Sequence, residues 1–355
     1  MRFLPAAVWA DMFHFTLAGP QRIKEKRVCG GTPLRLQVEM GGCNIDSILD
    51  WTYPMALPSV AIVIPTRNRH ESLKRCLSRL IPYAGAHPEC SIVVSDDGDA
   101  FETGEALAGE LTRAQIIQGP RRGPAANRNC GAAHATEELL IFLDDDCIPD
   151  QNLIAVYRDA ALKNPEIGVF EGRISAEGEA SSFADSAPIN ETGGKLWSCN
   201  FAIRRELFLK IGGFDDRYPF AAMEDIDLHL RVKRLSQVLF LPDARVWHAF
   251  EQRLGWEVIK HHALSLLLYL HTHGLKETER GPVFFLRFAA RLLIHGGMRH
   301  LRGGATRYPR QHLFTIWVCL QLAVITSLWR FHGCLAKRFF PPCCPSCRSI
   351  HSHLN

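Results

Sequence analysis

Asp144, Asp145 and Asp146 stand side by side directly after the apolar run Leu139-Leu140-Ile141-Phe142-Leu143. Three adjacent carboxylates repel one another and call for a counter-charge. A hard divalent cation supplies it, and Mg²⁺ is commonly held by one or two carboxylates together with phosphate oxygens. A solvated acidic turn is the plain alternative, and residues elsewhere in the chain weigh against it. Asp96-Asp97 close the run Ser91-Ile92-Val93-Val94-Ser95, and Pro65-Thr66-Arg67-Asn68 close Val60-Ala61-Ile62-Val63-Ile64. Asp97 offers acceptors to a base or ribose. Arg121, Arg122 and Arg128 offer cations to a diphosphate beside a metal held at Asp144 and Asp146. Arg128, on the first turns of a helix within Asn127-Arg128-Asn129, is the best placed of the three.

These groups need elements that bring them together. The runs at 60–64, 91–95, 114–118 and 139–143 read as buried strands, with helical spacing between them in Leu73, Cys76, Leu77 and Leu80, around 102–111, and from Gly123 through Ala135. Asp150 can cap a further helix carrying Leu153, Val156, Tyr157, Ala160 and Ala161. Strands alternating with helices at this pace predict a mostly parallel sheet of the doubly wound, Rossmann-like kind. All carboxyl strand ends then open on one edge, where ligands bind. Three polar strand ends facing one crevice make a site. Beyond Gly168-Val169-Phe170 the spacing predicts a mobile surface loop over 175–195, a strand at 197–203, and a short helix ending at Gly212-Gly213. A helix over 224–235, strands at 238–241 and 245–250, and helices alone beyond Leu254 complete the reading.

The 355 residues are 47% hydrophobic and 22% charged, ordinary for a globular chain with ample core. A net charge of +4, without a basic-aromatic motif, argues against nucleic acid as a partner. Twelve cysteines show no small-domain disulfide pattern, and Cys76, Cys130, Cys199 and Cys319 lie in apolar runs, as free thiols in a reducing compartment would. The tail Cys343-Cys344-Pro345-Ser346-Cys347 has one C-x-x-C without the second pair a zinc ribbon needs. Residues 1–57 have no signal-peptide layout and little periodicity, and read as a poorly packed extension. A core domain over 58–255, a helical region over 256–340 and a flexible tail over 341–355 follow.

The order Ile-Val-Ile-Pro-Thr-Arg-Asn, Val-Val-Ser-Asp-Asp-Gly, Asn-Arg-Asn-Cys-Gly, Phe-Leu-Asp-Asp-Asp resembles glycosyltransferase family 2, nucleotide-sugar transferases with the GT-A fold. The resemblance continues through Cys199 to Arg204, Gly212-Gly213-Phe214-Asp215, Glu224-Asp225-Ile226-Asp227-Leu228 and Val246-Trp247-His248. It spans roughly 59–250, more than half the chain. It implies a GT-A type α/β sandwich followed by C-terminal helices. It implies that Pro65, Thr66, Arg67 and Asp97 cradle the base and ribose. Asp144-Asp145-Asp146 matches the D-x-D motif that holds Mn²⁺ or Mg²⁺ on the diphosphate. Asp144 and Asp146 would be the ligands, with Asp146 foremost, and Asp145 would face the donor. His248 falls where some relatives place a metal ligand, and a packed strand histidine is the other reading. Asp225 matches the general base, with Glu224 and Asp227 competing; Glu224 and Asp227 share a helix face while Asp225 points elsewhere. Trp197, Cys199, Asn200 and Glu224 fall on the acceptor side.

A sugar hydroxyl is a poor nucleophile, so a carboxylate must take its proton as it attacks C1. The departing nucleoside diphosphate gains charge that a cation and arginines stabilise. One base and one metal suffice for a single displacement, which inverts the anomeric centre. The acceptor expected is a cell-surface glycan or a lipid-linked one. A catalytically inactive nucleotide-sugar-binding protein of the same fold is one rival. A metal-dependent nucleotidyltransferase is another, although a glycine-rich loop after the first strand is missing here.

The C-terminal region points to a lipid partner. Phe284, Phe285, Phe288 and Leu292 alternate with Arg287, Arg291 and Arg299 as in an amphipathic basic helix, and 313–329 is a 17-residue stretch without a charge. Arg310, Arg330, Lys337 and Arg338 flank it and would suit anionic lipid on the cytoplasmic face if the stretch lies on the inner membrane or crosses it once; a core or dimer helix is the third reading.

Overall fold

In the computed structural model, which describes residues 56–98, 100–106, 114–179, 185–252, 256–278, 282–287, 289–290 and 309–331, the apolar runs become the centre of one sheet. β1 (Val60–Thr66), β2 (Cys90–Asp96), β3 (Ala114–Gln118) and β4 (Leu139–Leu143) lie side by side and parallel in the order β3-β2-β1-β4. All residues of β1 and β4 are buried. Alternate residues serve opposite cores: Ala61, Val63, Leu140 and Phe142 face one, and Val60, Ile62, Ile64, Leu139, Ile141 and Leu143 the other. This is why the runs are continuously apolar rather than alternating.

Helix α1 (His70–Ala86) covers the second core with Leu73, Cys76, Leu77 and Leu80, joined by α4 (Leu153–Lys163). The first core lies under α3 (Pro124–His134), α5 (Arg205–Lys210) and α6 (Glu224–Val232). A short α2 (Ala100–Ala106) stands beside β3. Phe142, Phe201, Phe208 and Phe214 knit the first core, with centroids 5.1 Å (142–201), 5.2 Å (142–208) and 5.3 Å (142–214) apart.

The second half of the sheet is mixed. β8 (Asn200–Arg204) runs antiparallel to β4 and to β6 (Val169–Glu177), β6 is parallel to β9 (Val238–Ala249), and β5 (Cys147–Pro149) closes the edge antiparallel to β9. The mostly parallel sheet expected is therefore found, its first four strands all parallel and its antiparallel pairings confined to the second half. The two strands expected at 238–241 and 245–250 are one. Its register on β6 jumps from Gly172↔Leu241 to Arg173↔Arg245, so the turn-like Pro242-Asp243 is absorbed as a bulge.

The loop expected over 175–195 is largely tied down in its described part. β6 continues to Glu177, and β7 (Asp185–Ser186) pairs with β10 (Glu251–Gln252). The buried Glu171 carboxylate accepts the backbone N–H groups of Gly194 (2.7 Å), Lys195 (2.7 Å) and Leu196 (2.6 Å). No spacing rule announces such a carboxylate.

Helices α7 (Trp256–Thr278) and α8 (Pro309–Phe331) follow, and their buried residues, among them Ile259, Leu266, Leu270, Ile316, Cys319 and Leu322, belong to the first core. α8 coincides with the uncharged stretch, but no described helix is long and apolar enough to cross a membrane. The single-pass alternative is thereby corrected: Thr315, Gln321, Thr326 and Ser327 dilute the run, and Thr315 and Thr326 are buried. The extension at 1–55, Arg291, Arg299 and the cysteine tail lie outside the described residues.

Candidate active site

The carboxyl ends of β1, β2 and β4 open on one edge, as the parallel register requires. Thr66 pairs in register with Asp96, and Asp144 follows directly on Leu143. A cleft of about 440 Å³ lies there, lined by Pro65, Thr66, Arg67, Arg69, Asp97, Gly123, Pro124, Asn127, Arg128, Asp144, Asp145, Asp146, Pro219, Phe220, Ala221, His248, Glu251 and His261. The buried Asn127 side chain holds these ends together, donating to the carbonyls of Thr66 (3.2 Å) and Ser95 (2.8 Å) and accepting from the Ser95 hydroxyl (2.6 Å).

The three aspartates have different partners. Asp144 Oδ1 accepts from Arg128 Nη2 at 2.6 Å. Asp145, 4% exposed, accepts from the Thr66 hydroxyl at 2.6 Å, and burial pushes its carboxyl up to about 7. Asp146 accepts from Arg69 at 2.9 Å, and its Oδ1 lies 3.1 Å from His248 Nε2 without a well-aligned hydrogen bond. Burial opposes ionisation of both Asp146 and His248, but each favours the charged form of the other. The Asp146 carboxyl is held well below the usual range and His248 is pushed up to about 10.

Asp146, Cys147 and His248 bring one ligand atom each within 4.8 Å of one another. A carboxylate oxygen and an imidazole nitrogen suit Mn²⁺. The Cys147 thiol does not suit it here. A hydrogen bond with Cys199 and complete burial hold it well above its ordinary pKa, hence protonated. The poorly satisfied Oδ1 and the His248 imidazole, whose proton a bound cation would displace, therefore fit a hard divalent cation at Asp146 and His248. Asp144, the other expected ligand, is engaged by Arg128 and remains partly exposed beside them.

Arg128 does more than line the cleft. Its guanidinium, 3% exposed, also lies 3.3 Å from Glu224 Oε1 and 5.6 Å from the centre of the Phe214 ring. Glu224 and Asp225 open α6 behind the cleft-lining 219–221 loop. Burial, with Glu224 as neighbour, pushes the Asp225 carboxyl up to about 8, and burial raises Glu224 as well. Asp227 points elsewhere, held by Arg231 (2.6 Å) and His273 (2.6 Å). Met223, the residue before Glu224, has φ of 71°, a conformation costly for a side chain. Asn68 (56°), Arg121 (57°) and Leu196 (46°) are the other described non-glycine residues with positive φ, and Asn68 stands between the cleft-lining Arg67 and Arg69.

Pro65, Thr66, Arg67, Asp97, Arg128, Asp144, Asp145, Asp146 and His248 thus converge on one cleft. Asp97 accepts the backbone N–H groups of Arg121 (2.8 Å) and Gly123 (3.1 Å), which fixes the loop at the start of α3. Trp197, Cys199 and Asn200 are buried and not among the lining residues. Asn200 bonds Tyr157 and the carbonyls of Arg173 and Ala244, and so binds strands together. Sequence reasoning missed Arg69, Cys147, Phe220, Glu251 and His261. Arg69 was within reach as a second arginine at the end of β1, and it meets Glu251 at 2.9 Å. Phe220 and His261 stack with centroids 3.6 Å apart across forty residues of chain, which no local pattern signals.

Comparison with known proteins gives a consistent result. Residues 61–222 match the family described as Glycosyl transferase family 2. A probable glycosyltransferase of Bacillus subtilis is 24% identical over 226 residues, 57% of this chain and 53% of that protein. A pre-mycofactocin glycosyltransferase of Mycobacterium tuberculosis is 27% identical over 240 residues, 62% of this chain and 49% of that protein. The chain therefore spans about half the length of these curated relatives. A solved mannosyltransferase of Pyrobaculum calidifontis, in complex with GDP-Man and Mn²⁺, aligns with TM-score 0.47 at 19% identity over 79% of this chain and 89% of that one.

Proposed function

We propose, from the match of residues 61–222 to glycosyltransferase family 2, that this chain moves a sugar from a nucleoside-diphosphate sugar to a hydroxyl of a glycan or lipid-linked acceptor, with inversion at the anomeric carbon. The observation that carries this reading is Arg128, whose buried guanidinium ties the aspartate triplet at Asp144 (2.6 Å) to the base-bearing helix at Glu224 (3.3 Å).

The roles follow from position. Pro65, Thr66, Arg67 and Asp97 line the end of the cleft that receives base and ribose. A divalent cation, Mn²⁺ or Mg²⁺, would be held by Asp146 and His248 with Asp144 alongside, and would neutralise the diphosphate. Arg69 lies within hydrogen-bonding reach of Asp145 and Asp146 and adds positive charge at the same place. Asp225 takes the proton of the acceptor hydroxyl. Its raised pKa makes it a stronger base, because a carboxylate that prefers its proton removes one more readily. Phe220 and His261 face the cleft from the side of α6 and α7, where an acceptor would enter.

The test is a panel of UDP-, GDP- and dTDP-sugars, read by thermal stabilisation and donor hydrolysis with Mn²⁺, with Mg²⁺ and with chelator. One donor class is expected to raise the melting temperature in a metal-dependent way. Asp146→Ala is expected to remove most of that stabilisation, while Asp225→Asn keeps it and loses transfer. A panel without a metal-dependent binder would sink the reading.

A further inference from the structure

One feature of α8 is unsuited to water. Viewed at 100° per residue, Leu313, Trp317, Leu320 and Val324 fall within an arc of roughly 60°. They are 62%, 54%, 42% and 53% exposed. The opposite face, with Ile316, Cys319 and Leu322, is seated in the core, so the helix is fixed with its apolar stripe outward. An ordinary surface helix places polar residues there.

The charge of the chain indicates what covers the stripe. Residues 280–355 hold ten arginines, one lysine and no acidic residue, +11 in a chain whose total is +4, which leaves −7 on residues 1–279. A helix fixed with an apolar, Trp-bearing stripe outward, within a stretch of uniformly positive sequence, has the two signals that interfacial binding needs. It offers apolar area for the acyl boundary and cations for anionic headgroups. A second copy of the same positive stretch would add like charge to like, which disfavours self-association across this face.

We propose that the outward stripe of α8 lies in the surface of an anionic bilayer and, with the basic sequence around it, seats the glycosyltransferase domain there. This deepens the reading of a lipid-linked acceptor and is tested independently of it. The full chain is floated with vesicles of phosphatidylcholine containing phosphatidylglycerol, and with phosphatidylcholine alone. Binding is expected with the anionic vesicles, falling as salt rises, and at least about tenfold weaker for Trp317→Glu/Leu320→Glu. Both substituted side chains are exposed, so an unchanged thermal melt is expected and checks the fold. Asp146→Ala is expected to float as the unchanged chain does, which separates anchoring from donor binding. No flotation, or flotation indifferent to the double substitution, overturns the proposal. So does a dimer that the double substitution dissociates, since a second copy would then own the stripe.

Discussion

Asp225 is unfavourably placed for a charge, which suits the base proposed for it. Its carboxyl is pushed up to about 8 by burial and by Glu224, against a usual value of about 4. A base must be ionised to act, so kcat/KM is expected to rise with pH and level off above about 8. Stability moves oppositely. Between about pH 4 and pH 8 the folded chain keeps a proton the unfolded chain has released, so this residue's contribution declines across that window and is lost above it. Asp225→Asn is therefore expected to lower transfer by 10²–10⁴-fold and to melt no lower than the unchanged chain at pH 9. A lower melting point would show that the carboxylate is needed to hold α6. Arg128→Met should do the reverse of a neutral change, stranding Asp144 and Glu224 and costing about 3–5 kcal/mol by chemical denaturation. The cleft-lining Pro65, Thr66, Arg67, Asp97 and Asp144 to Asp146 were legible one by one because they end strands. The pairings of Arg128 with Glu224 and of Arg69 with Glu251 were not, because each joins segments roughly a hundred residues or more apart.

At the scale of elements, β1 and β4 were read correctly from continuous apolar runs, since a strand covered on both faces leaves no alternation to misread. The mixed half of the sheet was less accessible. β5 has three residues, too few to carry a period, and β9 hides a register jump behind Pro242-Asp243. The joint between β1, β2 and α3 is a single amide, Asn127, with every polar atom engaged. Asn127→Leu removes those bonds: the Thr66 carbonyl keeps the Asp97 N–H (2.9 Å), while the Ser95 hydroxyl loses its buried acceptor. A loss of about 1–3 kcal/mol is expected, with weakened donor binding as the strand ends separate. Gly123 is a second fixed point. Its φ is 95° and a Cβ there would stand 2.2 Å from the Pro219 carbonyl oxygen, so Gly123→Ala should disturb the contact between the two sides of the cleft.

For the whole molecule, the sequence order of the cleft is telling. Residues 65–146 build one wall, from the ends of β1, β2 and β4 and the start of α3. Residues 219–261 build the other. Side-chain contacts between the walls include Arg128 on Glu224, Arg69 on Glu251 and Asp146 on His248. The matched segment ends at residue 222, so Glu224, Asp225, His248, Glu251 and His261 all come after it. The C-terminal helices were legible as apolar and basic, and a core seating of 313–329 was one of three readings; the sequence could not choose it, because a broadly apolar helix does not say which side is inward. This two-walled construction has a consequence for how such a chain can diversify. The wall holding the triplet can stay fixed while the later wall is exchanged, so a descendant could take up a new hydroxyl partner and keep its old sugar nucleotide. Grafting 219–247 from a relative with a different acceptor, with His248 and Glu251 kept, is expected to change the product made and leave the preferred donor as it was, measured by competing donors in one vessel.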